Sequence, residues 1–570
     1  MPYKSPVDEI AFCMEHLVCF DRVQATERFA EATPDLVRAV LEEAGRICDT
    51  ALAPLNHVGD REPARLENGV VRSAPGLAEG YRAVAEGGWI GMAAAEQHGG
   101  MALPGTLNTA LNDMMSGANL ALQLLVLLSQ GQIEALEAHA SDELKELYLP
   151  KLNAGDWNAT MNLTEPQAGS DVGALRARAE PNGDGTFSVT GQKIFITWGD
   201  TDITRNTIHL VLARLGDAPA GTRGLSLFLV PKLLPDADSN PGERNNVRVA
   251  TIEHKMGLHS SPTCVMDFAG AKGWLVGNEG GGMKAMFTMM NNARLGVGIE
   301  GIGVAEAATQ AAAAFAAERV QGRPLRHETG TIADHADVRR MLREMRADTF
   351  AARAIAFECS VALDLAKATG GKAWAARAAF LTPIAKAFGT DTGISVASLA
   401  MQVHGGVGYM EDTGVAQYLR DVRVTAIYEG TNGIQAMDLV GRKLMDGGDA
   451  AFHLLDEIEA GAESARARLP DLAGLVWQAA ASLREMTEKL VAEPDMNTRF
   501  AGAAAYLRAF ARVLGAHIHL KAALADTRRV PLATFYLKRL LPEYLMLIAQ
   551  VEAGAAGLYD NDASPAVQSA

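Results

Sequence analysis

The sequence predicts an α+β multidomain chain: an N-terminal helical domain, a central all-β domain, a second helical domain and a C-terminal helical domain. Three observations predict it. A length of 570 residues exceeds what one core holds and implies roughly three to four domains. Short β-prone runs are confined to one stretch of roughly 115 residues after Trp157. The helix–sheet–helix order lacks the βαβ alternation of a doubly wound nucleotide fold.

Taken in order, residues 1–40 read as an N-terminal extension and 41–158 as the helical domain. Thr33 is a predicted N-cap with Pro34 at the first helical position, followed by apolar spacing through Leu36, Val37, Val40 and Leu41. Further helices are predicted over Leu107–Leu128 and after Ser141. Residues 159–278 form the predicted β domain, with strands at Ala174–Ala179, Thr186–Ile196, Ile208–Leu215, Leu225–Val230, Val247–Glu253 and Cys264–Phe268. Turn chemistry such as Pro181-Asn182-Gly183-Asp184-Gly185 separates them. Helical periodicity returns near Gly282 and defines residues 279–448, where Asp446-Gly447-Gly448 breaks the chain. Residues 449–570 are a last helical domain, with disorder expected only at the ends, as in the tail from Asp560.

Bulk composition excludes several classes. The net charge of −16 argues against a nucleic-acid-binding role for the whole chain. Five scattered cysteines with no CxxC pair predict neither disulfides nor a metal site. The start of the chain carries acids and no apolar signal core. Its most apolar stretch, Leu120–Leu128, falls short of the roughly 20 residues that span a bilayer. A soluble, cytoplasmic protein is expected.

Four segments carry candidate chemistry. Asn162-Leu163-Thr164-Glu165-Pro166-Gln167-Ala168-Gly169-Ser170-Asp171 offers small residues and hydroxyls that let backbone N–H groups approach a ligand; alone it reads equally as a capped turn. Gln192-Lys193-Ile194-Phe195-Ile196-Thr197 places an aromatic ring and a hydroxyl on one strand face. That pair suits a flat heteroaromatic ring, although an ordinary strand face is the commoner meaning of such a pattern. Gln402-Val403-His404-Gly405-Gly406-Val407-Gly408-Tyr409 lacks the spacing of a dinucleotide fingerprint and fits a helix C-terminus. His404 there is read as a packing or hydrogen-bonding residue. Ile427-Tyr428-Glu429-Gly430-Thr431-Asn432-Gly433-Ile434-Gln435, after Arg420-Asp421, sets a carboxylate between apolar neighbours. Burial there would raise its pKa toward a range useful for taking a proton.

Together and in this order the four segments resemble the acyl-CoA dehydrogenase family over about residues 40–445, being close to its strings TEPxAGSD, W-I-T, QxxGGxG and IYEGTxxIQ. The resemblance implies a β-barrel-like central domain, FAD as cofactor, an acyl-CoA thioester as substrate and Glu429 as the catalytic base that removes the α-proton while the β-hydride passes to flavin N5. Relatives that carry the base before an arginine on an earlier helix are matched here by Ala293-Arg294, and alanine cannot serve. In the family the enolate is stabilised by the base's own backbone N–H and a ribityl hydroxyl of the flavin. The resemblance assigns Met161, Leu163, Thr164, Ser170, Phe195, Thr197 and Thr431 to the cofactor. Phe195 stands where many relatives have Trp, and Gly433 where many have Gln. It further assigns Arg319, Gln402, Gly405 and Gly406 to the FAD of a neighbouring subunit, which implies a homodimer. Ser170, Asn291 and Arg294 are assigned to the substrate, no residue is assigned to a metal, and electron-transferring flavoprotein is implied as oxidant.

The leader Met1-Pro2-Tyr3-Lys4-Ser5-Pro6-Val7-Asp8, the segment Arg319–Leu325 and the helices past residue 450 resemble a longer bacterial branch of the family that includes 3-methylmercaptopropionyl-CoA dehydrogenases of dimethylsulfoniopropionate breakdown. Conversion of that thioester to methylthioacryloyl-CoA is the expected reaction, with a short- or medium-chain fatty acyl-CoA as the alternative. A flavoprotein of this fold that binds nucleic acid is the remote alternative. Residues 451–570 carry 12 Lys and Arg against 14 Asp and Glu, a balance unlike a phosphate-binding face. The C-terminal domain is expected to cover the dimer interface or the cofactor region.

Overall fold

The computed structural model describes residues 3–325 and 328–559; Met1, Pro2 and the tail from Asp560 lie outside the described residues. Thr33 caps the helix Pro34–Ile47, its hydroxyl accepting from the N–H of Leu36 at 3.3 Å. This helix runs through the 40/41 boundary read from the sequence. Ser141 likewise caps Asp142–Asn153. Between them the long apolar element Gly105–His139 is two helical halves folded at Asn119, whose φ and ψ are −162° and 92°. The fold-back is evident from Asn112, which donates to Gln130 at 2.9 Å across 18 residues; a straight helix would part them by about 27 Å. This element is apolar and long enough to span a bilayer by composition, yet its apolar window is wholly buried inside the protein.

The β domain closes into a barrel. Thr263–Val276 pairs with Phe187–Thr197, which pairs with Arg178–Pro181. That short strand meets Asn206–Arg214 in parallel through Arg178 and Arg214. Asn206–Arg214 pairs with Leu225–Pro231, which returns to Trp274–Val276. Val247–Ile252 and Trp157–Asn162 extend the ring at two places. The fully buried Val189, Val211, Phe228 and Val230 fill it. Two expectations need correction. The predicted strand Ala174–Ala179 starts only at Arg178, because Val172–Ala174 forms a 3₁₀ turn. The strand Trp157–Asn162, not read from the sequence, is buried along nearly its whole length and so lacks the alternation that marks a half-exposed strand.

Three long helices, Gly282–Glu318, Ala336–Thr369 and Lys372–His404, form the second helical domain. The first and third run parallel and nearly touch: a Cβ on Gly301 would lie 2.3 Å from the carbonyl oxygen of Gly389, and one on Gly389 2.4 Å from that of Gly298. No side chain larger than hydrogen fits at that crossing. The C-terminal helices Asp449–Ala465 and Met496–Ala525 pack on the third long helix, Met496–Ala525 also on the second, and Pro470–Ala492 lies outside them. Arg512 ties them on through the buried carboxylate of Asp348.

Candidate active site

Glu429 sits where the 3₁₀ turn Arg423–Ala426 gives way to the short helix Asn432–Asp438. Its φ of +55° is left-handed, costly for a residue with a side chain and found where surrounding structure enforces it. Gly430, at φ +84°, continues the turn. Three sets of contacts enforce it. Gln435 donates to the carbonyls of Glu429 and Gly430 at 3.2 and 3.4 Å. Asn432 accepts from Lys386 Nζ at 2.9 Å and donates to Asp391 at 2.7 Å. Tyr428 donates its hydroxyl to the carboxylate of Glu300.

Electrostatics at this turn are unusual. Burial pushes the Glu429 carboxyl up to about 7, against the pull of Arg294 and Lys386. Burial also raises Glu300 to about 8 and lowers Lys386 to about 8. Both side chains are fully buried. A carboxyl near 7 is half ionised at neutral pH and basic enough to accept a proton from carbon once the product anion is stabilised.

Apart from Thr431, the residues assigned to the flavin lie on the β domain. Thr164 is held to the long strand by the bond from Ile194 N–H to its carbonyl at 2.9 Å. Glu165 folds the loop back, taking Lys193 at 2.8 Å and the N–H groups of Arg176 and Ala177. Met161, Thr164 and Thr197 are half-buried, Leu163 is buried and Ser170 is exposed. Phe195 is 60% exposed and lies at a β-bulge, with φ +61° and a register slip opposite Val265. A large aromatic face left open beside half-buried hydroxyls fits a planar polar ring laid against it. Thr431 is exposed, and its hydroxyl serves as the N-cap of Asn432–Asp438 by accepting from Ile434 N–H at 3.2 Å.

A second group lies apart. Phe315 stacks on His404 with ring centroids 4.4 Å apart, which brings Arg319 toward Gln402, Gly405 and Gly406, all exposed. Twenty-one residues of helix separate Phe315 from Arg294, so this group is roughly 30 Å along the bundle from Arg294. One chain does not unite the two groups.

A cavity of about 680 Å³ runs between Gly105–His139 and Gly282–Glu318, with Asn291, Arg294, Leu127, Gln130 and Asp438 in its wall. Glu429 is not in that wall; Arg294 joins the two, facing the cavity while its charge acts on Glu429. Sequence reasoning missed Glu300, Lys386 and Asn432. The available signal for Glu300 was a single charge in the otherwise apolar run Leu295–Val304; Asn432 lay inside the fourth motif.

Sequence models of the family's domains match in the same order as these elements: the acyl-CoA dehydrogenase N-terminal domain over residues 35–156, the middle domain over 160–271, the C-terminal domain over 280–445 and an acetyl-CoA dehydrogenase C-terminal-like domain over 454–562. The chain belongs to the acyl-CoA dehydrogenase family and is an oxidoreductase of acyl-CoA thioesters. Among its relatives, the 3-methylmercaptopropionyl-CoA dehydrogenase of Ruegeria pomeroyi is 45% identical over 81% of this chain and 79% of its own. The broad-specificity linear acyl-CoA dehydrogenase FadE5 of Mycobacterium tuberculosis is 35% identical over 80% and 78%. Caenorhabditis elegans ACDH-11, solved with C11-CoA, shares the fold over 97% of this chain and 96% of its own, with a TM-score of 0.81 at 20% identity. The butyryl-CoA dehydrogenase of Megasphaera elsdenii matches over 72% and 98%, with a TM-score of 0.61 at 26% identity.

Proposed function

We propose that the chain dehydrogenates 3-methylmercaptopropionyl-CoA to methylthioacryloyl-CoA, with FAD as cofactor and Glu429 as the base. The observation that carries the reading is Glu429 itself, a carboxyl pushed to about 7 and locked in a left-handed turn beside Arg294 and Lys386. The choice of acyl group is supported by the 45% identity to the Ruegeria enzyme. The Cα–H bond breaks with its proton going to the Glu429 carboxylate, and a C2–C3 double bond forms. Bound FAD supplies the acceptor for the electron pair and hydrogen leaving Cβ. Met161, Leu163, Thr164, Ser170, Phe195, Thr197 and Thr431 would hold the cofactor. Asn291 and Arg294, in the cavity wall, would hold the thioester with Ser170.

The group at Arg319, Gln402, Gly405 and Gly406 is proposed to reach the FAD of a second copy in a homodimer, consistent with its distance from Glu429. Electron-transferring flavoprotein is proposed as oxidant, on the family resemblance. The test is kcat/KM across 3-methylmercaptopropionyl-, butyryl- and octanoyl-CoA. Preference for the sulfur-bearing thioester is expected, and strong preference for either alkyl thioester would overturn the substrate.

A further inference from the structure

The left-handed turn at Glu429 has unequal supports. Downstream it is fixed by Gln435 and by Asn432, which is tied to Lys386, Asp391 and Thr390. Upstream, the side-chain tether is the bond from the Tyr428 hydroxyl to Glu300. Glu300 lies 128 residues away in sequence, on Gly282–Glu318. Its neighbours Ile299 and Ile302 are fully buried, and so is Glu300. Its Oε2 takes the Tyr428 hydroxyl, while its Oε1 is buried with no hydrogen-bond partner among the described residues. A carboxyl placed there costs desolvation that a leucine would not. Packing therefore does not account for it, whereas holding Tyr428 does.

We propose that Glu300 is a positioning residue for the base: through the Tyr428 hydroxyl it clamps the Tyr428–Glu429 peptide in the left-handed turn that aims the Glu429 carboxyl. The inference rests on the reading of Glu429 as base. The charged and titratable groups around the clamp are Lys386 from Lys372–His404, Tyr428 and Glu429 from the loop, and Arg294 from Glu300's own helix. Substitution at 300 therefore acts on Glu429 by orientation and by field together. Asp391, bonded to Asn432, lies one link further out.

The test compares Glu300→Leu, Glu300→Gln, Tyr428→Phe and the double variant Glu300→Leu/Tyr428→Phe as FAD-loaded proteins, matched for flavin content and thermal midpoint. Glutamine keeps an acceptor for the hydroxyl and should retain kcat within about threefold. Glu300→Leu and Tyr428→Phe should each lower kcat by about tenfold or more, with KM changed less than threefold and the acidic limb of the pH profile moved. The double variant should be no worse than the poorer single, because both remove one contact. Should Glu300→Leu fail to fold, Glu300→Gln and Tyr428→Phe decide between them. Glutamine as damaging as leucine or phenylalanine, normal kcat in Tyr428→Phe, or multiplicative losses in the double variant would overturn the clamp. Glu429→Gln run in parallel separates the two ideas: an active Glu429→Gln enzyme removes the base, whereas an inactive one beside unaffected clamp variants removes only the clamp.

Discussion

The Nζ of Lys386 donates to Oδ1 of Asn432 at 2.9 Å, tying a long helix of the bundle to the loop that carries Glu429. Lys386 is fully buried, and its charge is one of the two that hold the Glu429 carboxyl down against burial. Lys386→Met should therefore raise the Glu429 pKa further and move the acidic limb of kcat/KM upward by up to about one unit, a differential of about 1.4 kcal/mol. A pH–rate profile of the FAD-loaded variant reads this. An unmoved limb would mean that Lys386 does not act on the base.

In the wild-type enzyme the same limb should lie near pH 7. Glu429 is raised from an ordinary 4.5 to about 7 by burial, and only its ionised form accepts the α-proton. Activity should thus fall tenfold per unit below that pH. Stability runs the other way. A carboxyl raised in the fold contributes stability below its unfolded value and loses it as pH rises through the folded one. Glu300, raised from 4.5 to about 8, adds a similar loss that continues to about pH 8. Thermal midpoints should accordingly decline from about pH 4.5 to about pH 8 and level off above it, with a smaller decline in Glu300→Gln.

Helix crossing makes a sharper structural prediction. Gly301→Ala forces a methyl to 2.3 Å from the Gly389 carbonyl, backbone against backbone, and should destabilise by several kcal/mol or prevent folding. Gly474, inside Pro470–Ala492, has open space around its Cβ position. Gly474→Ala should stabilise by about 0.5–1 kcal/mol. Urea unfolding of the two variants checks both signs.

The C-terminal helices are held by charge as well as packing. Arg512 is nearly fully buried and bonded to Asp348 and Glu543. Arg512→Met leaves the Asp348 carboxylate buried and unpaired, at a cost of about 3–5 kcal/mol. Arg512→Met/Asp348→Leu should recover much of it. Equal stability of the single and double variants by urea unfolding would show that the pair contributes nothing.

Legibility followed the range of the interactions. Thr33 was readable as a cap, and Ser141 as the point after which a helix begins, because a cap is made within three residues. Glu429 stood out through its immediate neighbours Tyr428 and Gly430. The bulge at Phe195 was hidden because the slip is set by the partner strand at Val265, far away in sequence. Glu300 and Lys386 were hidden for the same reason: each reads as a stray charge until the close glycine crossing of Gly298, Gly301 and Gly389 brings their helices together. The fold-back at Asn119 was lost inside a run whose apolar residues continue through the bend. Arg319 and Gln402 resisted in a different way, since their place is read from a resemblance and a single chain sets them far from Glu429.

The most direct measurement is anaerobic mixing of FAD-loaded Glu429→Gln with 3-methylmercaptopropionyl-CoA, following the flavin absorbance. The substitution keeps the shape of the side chain and removes its basicity. Binding of the thioester with flavin bleaching slowed by about a hundred- to ten-thousandfold is expected. Bleaching at the wild-type rate would contradict the assignment of Glu429 as the base.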